Sequence, residues 1–467
     1  MTLIIVAILL VSFVLIATEQ LTNINKAAVA MFAGTLGWVL YICYGTDFVM
    51  REHQGDYVDF LNGAVATSTA VKLYIAQNIF LKYVGTAAEI VLFLLATMTI
   101  VEILNNNGCF DFLTPMVRTR KSRRLLWSVS ALTFVISANL DNLTTTALML
   151  VVVHNLLSGR GLRIIYGSAV VVAANAGGAL TVIGDPIGVF LWNRGAVTAS
   201  NFSMTLLIPC ILAWAIPTWL LGRKLPERVD IAWKQLPYRG DDTNLNVWQR
   251  MLMLFVGIGG LWFIPTFHNI TKLSPFLGAL CVLSVLWIVN ELFNHRLMKV
   301  EKMIERRMPQ TMQYGVIQMM LFVMGLMLAV GVVEETGAVR WLAHRCDTYV
   351  HNVWVMGVIA GCVSSVLDNF ATALSFCSLF PVAATDSLAG QGGYAAEFAM
   401  NGNYWKVVAY CSAIAGNIFA VGSISGVVLL KMERLPVMWY VRNVAPKALL
   451  GAAVGMAALA VVVATIA

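Results

Sequence analysis

The feature that most limits what this chain can become is a series of apolar runs, many of them near or above the roughly 20 residues that span a hydrocarbon core. They fall at 1–17, 27–44, 87–106, 164–193, 204–222, 251–268, 274–292, 313–333, 407–430 and 447–467, ten candidate spans in 467 residues. Only 12% of the residues are charged, about half of what soluble domains carry, and mean hydropathy is +0.78. A string of soluble domains is excluded, and the sequence reads as one all-α polytopic unit whose solvent is the lipid bilayer.

The net charge of +7 does not point to nucleic acid, because Lys and Arg gather in short loops between the apolar runs, the pattern that orients a membrane protein. Eight cysteines occur without a CxxC pair or a His-rich neighbour, so neither a zinc site nor a disulfide framework is signalled, and no cofactor is expected. The first run lacks a basic lead and an A-x-A cleavage site, which makes it a span rather than a signal peptide.

Two further apolar segments do not fit the span template. Leu125 to Gly159 is 35 residues long, with Asp141 and His154 as its titratable members. Arg118, Arg120, Lys121, Arg123 and Arg124 flank it on one side, Arg160 and Arg163 on the other. Both flanks read as cytoplasmic, so the segment crosses an even number of times, yet it is short for two full helices and a turn. A re-entrant hairpin follows. The second such segment, 352–385, contains one charge, Asp368, and in each segment the Asp is the seventeenth residue. Both hairpins therefore place a carboxylate at the tip.

The loops at 223–250 and 294–312 are basic, the latter through Arg296, Lys299, Lys302, Arg306 and Arg307, and are assigned to the cytoplasm. Counting outward from them puts the first hairpin's mouth inside, the second outside and both termini on the non-cytoplasmic side. The chain then divides into residues 1–222 with hairpin 125–159, a linker at 223–250, and residues 251–467 with hairpin 352–385, the two halves being inverted.

The halves also align. Residues 93–113 match 322–342 with Gly108 over Gly337; Asp141, Asn142 and Thr145 lie over Asp368, Asn369 and Thr372; Gly184 and Gly188 lie over Gly422 and Gly426. Inverted repeats with Gly-interrupted helices in matching places are the pattern of secondary transporters, whose sites lie at the repeat interface near the midplane. The stretches 175–188 and 416–426 are expected to break their helices beside the hairpin tips. The competing reading is that these glycines serve close helix packing alone.

A carboxylate inside a membrane is costly unless paired, protonated or bound to a cation. Asp141 stands beside Asn142, Thr144 and Thr145, and Asp368 beside Asn369 and Thr372, oxygen donors of the kind a hard cation takes. The sequence places Na+ at Asp141, Asn142, Asp368 and Asn369. The same carboxylates can take a proton, and the two occupants exclude each other, which is the basis of cation/proton exchange. The bland alternative makes both aspartates simple helix N-caps. Asp185 is a third buried acid, with Ser423 opposite it in the second half, and can act as ligand, proton carrier or cap before Pro186. Glu102, late in its span, is a possible proton-linked group. Glu334 and Glu335 read as span-end residues near the outer surface, and His154 as facing headgroups. The segment from Gly45 to Gly85 carries no motif and is expected along the outer surface.

At ANLDNLTTTALM, ANAGGALTVIGDPIGVFLW and SSVLDNFATAL the chain resembles the NhaD-type sodium/proton antiporters of the ion transporter superfamily, which also holds citrate, arsenite and dicarboxylate carriers. The resemblance implies ion-binding roles for Asp141, Asn142, Thr144, Thr145, Asn175 and Asp185. It implies an inverted five-plus-five repeat with two hairpins, a dimerising scaffold, elevator movement and a bacterial inner-membrane location. Pro186, Ile187 and Gly188 stand where the family usually carries threonines, which bears on the choice among Na+, Li+ and K+.

The expected function is exchange of Na+ or Li+ for H+, with Asp141, Asn142, Thr144, Thr145, Asn175, Gly184, Asp185, Asp368, Asn369, Thr372, Gly422 and Ser423 as the cation and proton site. The alternative is a Na+- or H+-coupled carrier of a carboxylate or oxyanion, against which stands the lack of Arg or Lys in the hairpins and broken helices. An intramembrane aspartyl protease is disfavoured, because Leu140 precedes Asp141 and Val182 stands where a Gly-x-Gly-Asp motif needs glycine. The chain reads as a transporter, not an enzyme.

Overall fold

The computed structural model describes residues 1–22, 24–113, 117, 119–229, 245–294, 314–383 and 393–466. Arg118, the centre of the 223–250 linker, the five basic residues between 295 and 313 and the last two residues of hairpin 352–385 lie outside them.

The described chain is helical. In order, the helices are α1 (Thr2–Ala17), α2 (Lys26–Cys43), α3 (Gly45–Glu52), α4 (Gln54–Leu61), α5 (Ser68–Asn106), α6 (Ser122–Asn139), α7 (Asn142–Leu156), α8 (Arg160–Gly178), α9 (Pro186–Asn193), α10 (Ala199–Gly222), α11 (Val247–Thr271) and α12 (Pro275–Asn294). They continue as α13 (Tyr314–Glu335), α14 (Ala338–Tyr349), α15 (Val353–Ser364), α16 (Asn369–Cys377), α17 (Asn403–Phe419), α18 (Ile424–Met432), α19 (Val437–Asn443) and α20 (Ala445–Ile466). Among the described residues eight stretches are long and apolar enough to cross a membrane: α2, α5, α10, α11, α12, α13, α17 with α18, and α20. The protein is a multi-pass integral membrane protein.

Three expectations are refined. The run at 1–17 forms a helix of 16 residues, shorter than a full span. The run at 164–193 is interrupted between α8 and α9, and the interruptions are narrower than the glycine-rich stretches suggest: Asn175 and Gly416 stay helical, and the breaks cover 179–185 and 420–423. Helix α5 begins at Ser68, not near 87, because the Thr67 side chain caps it by accepting from the Ala70 N–H at 3.1 Å. It passes through a π-helical stretch, Ile75–Phe80, on the way.

The remainder of the 45–85 segment, α3 and α4, is tied to the end of α13. His53 Nε2 lies 2.6 Å from Glu335 Oε2, the Tyr83 hydroxyl donates to Glu335 Oε1 at 2.8 Å, and the Arg51 guanidinium bonds the Thr336 carbonyl. Glu335 does end its span, but in a polar cluster. His154 lies 3.5 Å from Glu433, whose carboxylate also accepts from Arg163 Nε at 2.9 Å.

The packing sorts the helices into two groups. In one, α2 packs on α13, α12 on α5, α1 on α2 and α11 on α12; in the other, α6 packs on α8, α15 on α17 and α10 on α20. Several of these contacts come in matching pairs: α6 on α8 as α15 on α17, α8 on α10 as α17 on α20, and α7 on α18 as α16 on α9. The groups touch where α9 lies on α5 and α16 on α13. Asn193 at the end of α9 donates to Glu89 of α5 at 2.6 Å in the first of these contacts.

Candidate cation-binding site

Four short backbone interruptions meet in the interior: Leu140–Asp141 between α6 and α7, 179–185 between α8 and α9, 365–368 between α15 and α16, and 420–423 between α17 and α18. Each ends at a residue that caps the helix after it. Asp141 Oδ1 accepts from the Thr144 N–H at 2.8 Å, Asp185 Oδ1 from Ile187 at 3.0 Å, Asp368 Oδ1 from Phe370 at 3.1 Å, and Ser423 Oγ from Gly426 at 3.2 Å. All four are buried. Capping is thus real at both hairpin aspartates, and it uses one oxygen of each, leaving the other for a second role.

Asp185 is the hub. Its Oδ2 accepts from Asn142 Nδ2 at 2.8 Å and from Asn369 Nδ2 at 3.2 Å, so the residue after each hairpin aspartate reaches the same oxygen. Around it, Asn175 Nδ2 donates to Ser423 Oγ at 2.9 Å and to Asn417 Oδ1 at 2.8 Å; the Asn369 N–H donates to the Gly422 carbonyl at 3.0 Å; and Ser425 Oγ donates to the Asn142 carbonyl at 3.3 Å. Thr372 turns back on the Asp368 carbonyl at 3.1 Å, and Thr144 serves through its backbone N–H.

Gly184 and Gly422 hold the breaks against the first arms of the hairpins. A Cβ on Gly184 would stand 2.7 Å from the Ser137 carbonyl, and one on Gly422 2.1 Å from that of Ser364. Glycine is needed for that approach, so close packing accompanies the break at both residues.

Several buried oxygens here have no hydrogen-bond partner among the described residues: Asp141 Oδ2, Thr145 Oγ1 and Asn175 Oδ1. Oxygens buried without a donor are costly, and a carboxylate, a hydroxyl and an amide oxygen are the donors that suit a hard cation. No cluster of three or more His, Cys, Asp or Glu that could hold a metal ion occurs among the described residues. Glu102 is buried near the end of α5, in the other helix group.

Sequence reasoning missed three participants. Ser137 donates to the Ala174 carbonyl and Ser364 to the Ser412 carbonyl, both at 2.6 Å, clamping each hairpin to its broken helix. The signal was present, since each serine stands four residues before its aspartate. Lys26, the first residue of α2, places its Nζ 2.6 Å from Asp368 Oδ2. It lies at the edge of an apolar run, far from the motifs in sequence, and carried no signal.

The chain matches a family model described as a citrate transporter over residues 1–400. Sodium/proton antiporter 1 of Arabidopsis thaliana is 32% identical over 79% of this chain, and the matched region spans 61% of that relative's length. Sodium/proton antiporter 2 of the same plant is 26% identical, over 89% of this chain and 97% of the relative. The Na(+)/H(+) antiporter NhaD of Vibrio parahaemolyticus is 26% identical over 74% of this chain and 83% of its own. These are transporters and not enzymes, and the chain belongs to the family of transporters that the citrate-transporter model describes and, within it, to the NhaD-type antiporters.

Proposed function

We propose that the protein exchanges Na+ or Li+ for H+ across a membrane, with Asp141, Asp185 and Asp368 and the oxygens around them as a site that holds either cation or proton. The observation that carries this reading is the convergence of Asn142 and Asn369 on Asp185 Oδ2, beside the unpartnered Asp141 Oδ2. Three carboxylates in a buried junction favour cations, and protonation of any of them weakens its hold on a metal ion. The names of the relatives support the same activity.

Supporting an inverted five-plus-five repeat are the matched packing of the two halves and the equal register of Gly184 and Gly422 before their capping residues. On this reading 1–222 and 251–467 are the repeats, and 125–159 and 352–385 are re-entrant hairpins. The sparse contacts between the two helix groups favour elevator movement of the group bearing the site. A homodimer, a bacterial inner-membrane location and outward-facing termini rest on the family resemblance and on the basic loops.

Carriage of a carboxylate is the weaker reading. One ammonium, Lys26, does stand at the junction, but it is paired with Asp368 and is outnumbered by three carboxylates, so an anion would meet a net negative site.

The test is purified protein in liposomes enclosing a pH-sensitive dye, with an imposed proton gradient. Dissipation on adding Na+ or Li+ without an organic anion is expected. Dissipation only when a carboxylate or oxyanion is supplied would overturn the exchange reading.

A further inference from the structure

The three carboxylates of the junction are capped alike through one oxygen and differ in the other. Asp185 Oδ2 is taken by the two asparagines, Asp141 Oδ2 has no hydrogen-bond partner among the described residues, and Asp368 Oδ2 holds the Lys26 ammonium at 2.6 Å. The repeat thus makes the two hairpin tips alike in sequence, and a residue from outside both hairpins makes them unlike in charge.

Lys26 is well seated. Asn25 caps α2 by accepting from the Ala27 N–H at 2.8 Å, which fixes the backbone next to it. Its Nζ lies 4.2 Å from the centroid of the fully buried Phe322 ring of α13, a cation–π distance. The pair is largely shielded, with 17% of the Lys26 side chain and 7% of that of Asp368 exposed. Beside it lies a cavity of about 200 Å³ lined by Asn25, Lys26, Leu143, Asp368, Ile424 and Lys431 among others. That is room for a small ion with several waters, a water occupying about 30 Å³ in the liquid. The cavity brings an arriving ion to the ammonium and the carboxylate together.

Lys26 and Asp368 also belong to different helix groups, α2 packing with α13 and α16 with α17. A shift of one group along the other must part them.

We propose that Lys26 is a tethered cation that occupies Asp368 in this conformation, competes with the transported ion for that carboxylate, and adds to the contacts that hold the two helix groups in register until it is displaced. The proposal rests on the cation-exchange reading. An ammonium and a metal ion held on the same buried carboxylate repel each other across a poorly screened distance, so an ion that uses Asp368 weakens the Lys26 bridge and favours its release. Breaking the bridge removes one of the polar ties between the groups, beside that of Asn193 to Glu89, and so links movement to occupancy. Lys26 acts through Asp368 and is a positioning residue.

The experiment compares wild type, Lys26→Gln and Lys26→Arg in proteoliposomes, measuring maximal exchange rate and apparent KM for Na+ separately. It also follows the Na+ concentration that gives half-maximal thermal stabilisation of the detergent-solubilised protein. With the competitor removed, Lys26→Gln is expected to lower both Na+ concentrations by about tenfold, the equivalent of roughly 1.4 kcal/mol, while Lys26→Arg keeps them near or above wild type. A purely structural role would lower thermal stability and rate with KM unmoved, and that result overturns the proposal. If Lys26→Gln cannot be purified, Phe322→Leu removes the ring under the ammonium and is expected to lower the Na+ concentrations a few-fold; no change overturns the proposal. A wild-type protein that ignores Na+ and Li+ in both assays refutes the exchange reading itself, whereas wild-type exchange with an unmoved KM in Lys26→Gln refutes the tethered cation alone.

Discussion

Asn142 and Asn369, one from each hairpin, donate to the same oxygen of Asp185 at 2.8 and 3.2 Å. The contact links the two halves of the chain through a residue that only one half possesses, since Ser423 stands at the matching position. A buried carboxylate fits two amide donors because it only accepts.

Asp185→Asn is therefore expected to be more than a charge change. Its amide can still cap α9 with the oxygen, but the nitrogen then faces the donors of Asn142 and Asn369, an unsatisfied arrangement that costs about 1–3 kcal/mol. Loss of exchange together with a lowered melting temperature is expected, read by the liposome assay and by thermal unfolding in detergent. Wild-type stability would show that the asparagines have other acceptors.

Asp141→Asn separates charge from fold. The cap to Thr144 needs one side-chain oxygen, which asparagine supplies, so stability is expected within about 0.5 kcal/mol of wild type while exchange is lost; Asp141→Ala loses the cap as well and costs about 1 kcal/mol more. Full activity of Asp141→Asn in the dye assay would remove Asp141 from the ion site.

Gly422→Ala places a methyl 2.1 Å from the Ser364 carbonyl, backbone that cannot swing aside. We expect it to cost about 1–3 kcal/mol, as overpacking does, and to reduce folded protein recovered by size-exclusion chromatography. Gly161→Ala, where a Cβ meets nothing within 4 Å, serves as the control and is expected to behave as wild type.

Ser137→Ala and Ser364→Ala each remove one buried hydrogen bond of 2.6 Å between a hairpin and its broken helix. Each is expected to cost about 1 kcal/mol, with similar values in the two halves if the halves carry equivalent contacts. Thermal unfolding of the two variants side by side measures this, and a cost confined to one hairpin would argue against equivalence.

Much of the fold was legible because hydrocarbon imposes a strict rule: backbone groups must be satisfied within each segment, so apolar runs become helices and their exceptions stand out. Asp141, Asp185 and Asp368 were visible for the same reason, as were the paired glycines before Asp185 and Ser423. The narrowness of the breaks was not. Asn175 stays helical in α8 and reaches Ser423 by its side chain, because glycine tolerates a turn without compelling one. The start of α5 at Ser68 was hidden because a polar first turn carries no hydropathy signal, and its cap is a local contact of Thr67.

By itself the sequence determined that the chain is a membrane protein, that two apolar segments carry an aspartate at the same position, and that each of these acids is followed by an asparagine. Those features follow from local composition and spacing. The tertiary structure decided which oxygen each donor reaches, that both asparagines meet at Asp185, and that Lys26 arrives at Asp368 from a helix 342 positions away. Such pairings depend on how separate helices pack, and no periodicity within one segment records the position of a side chain on another.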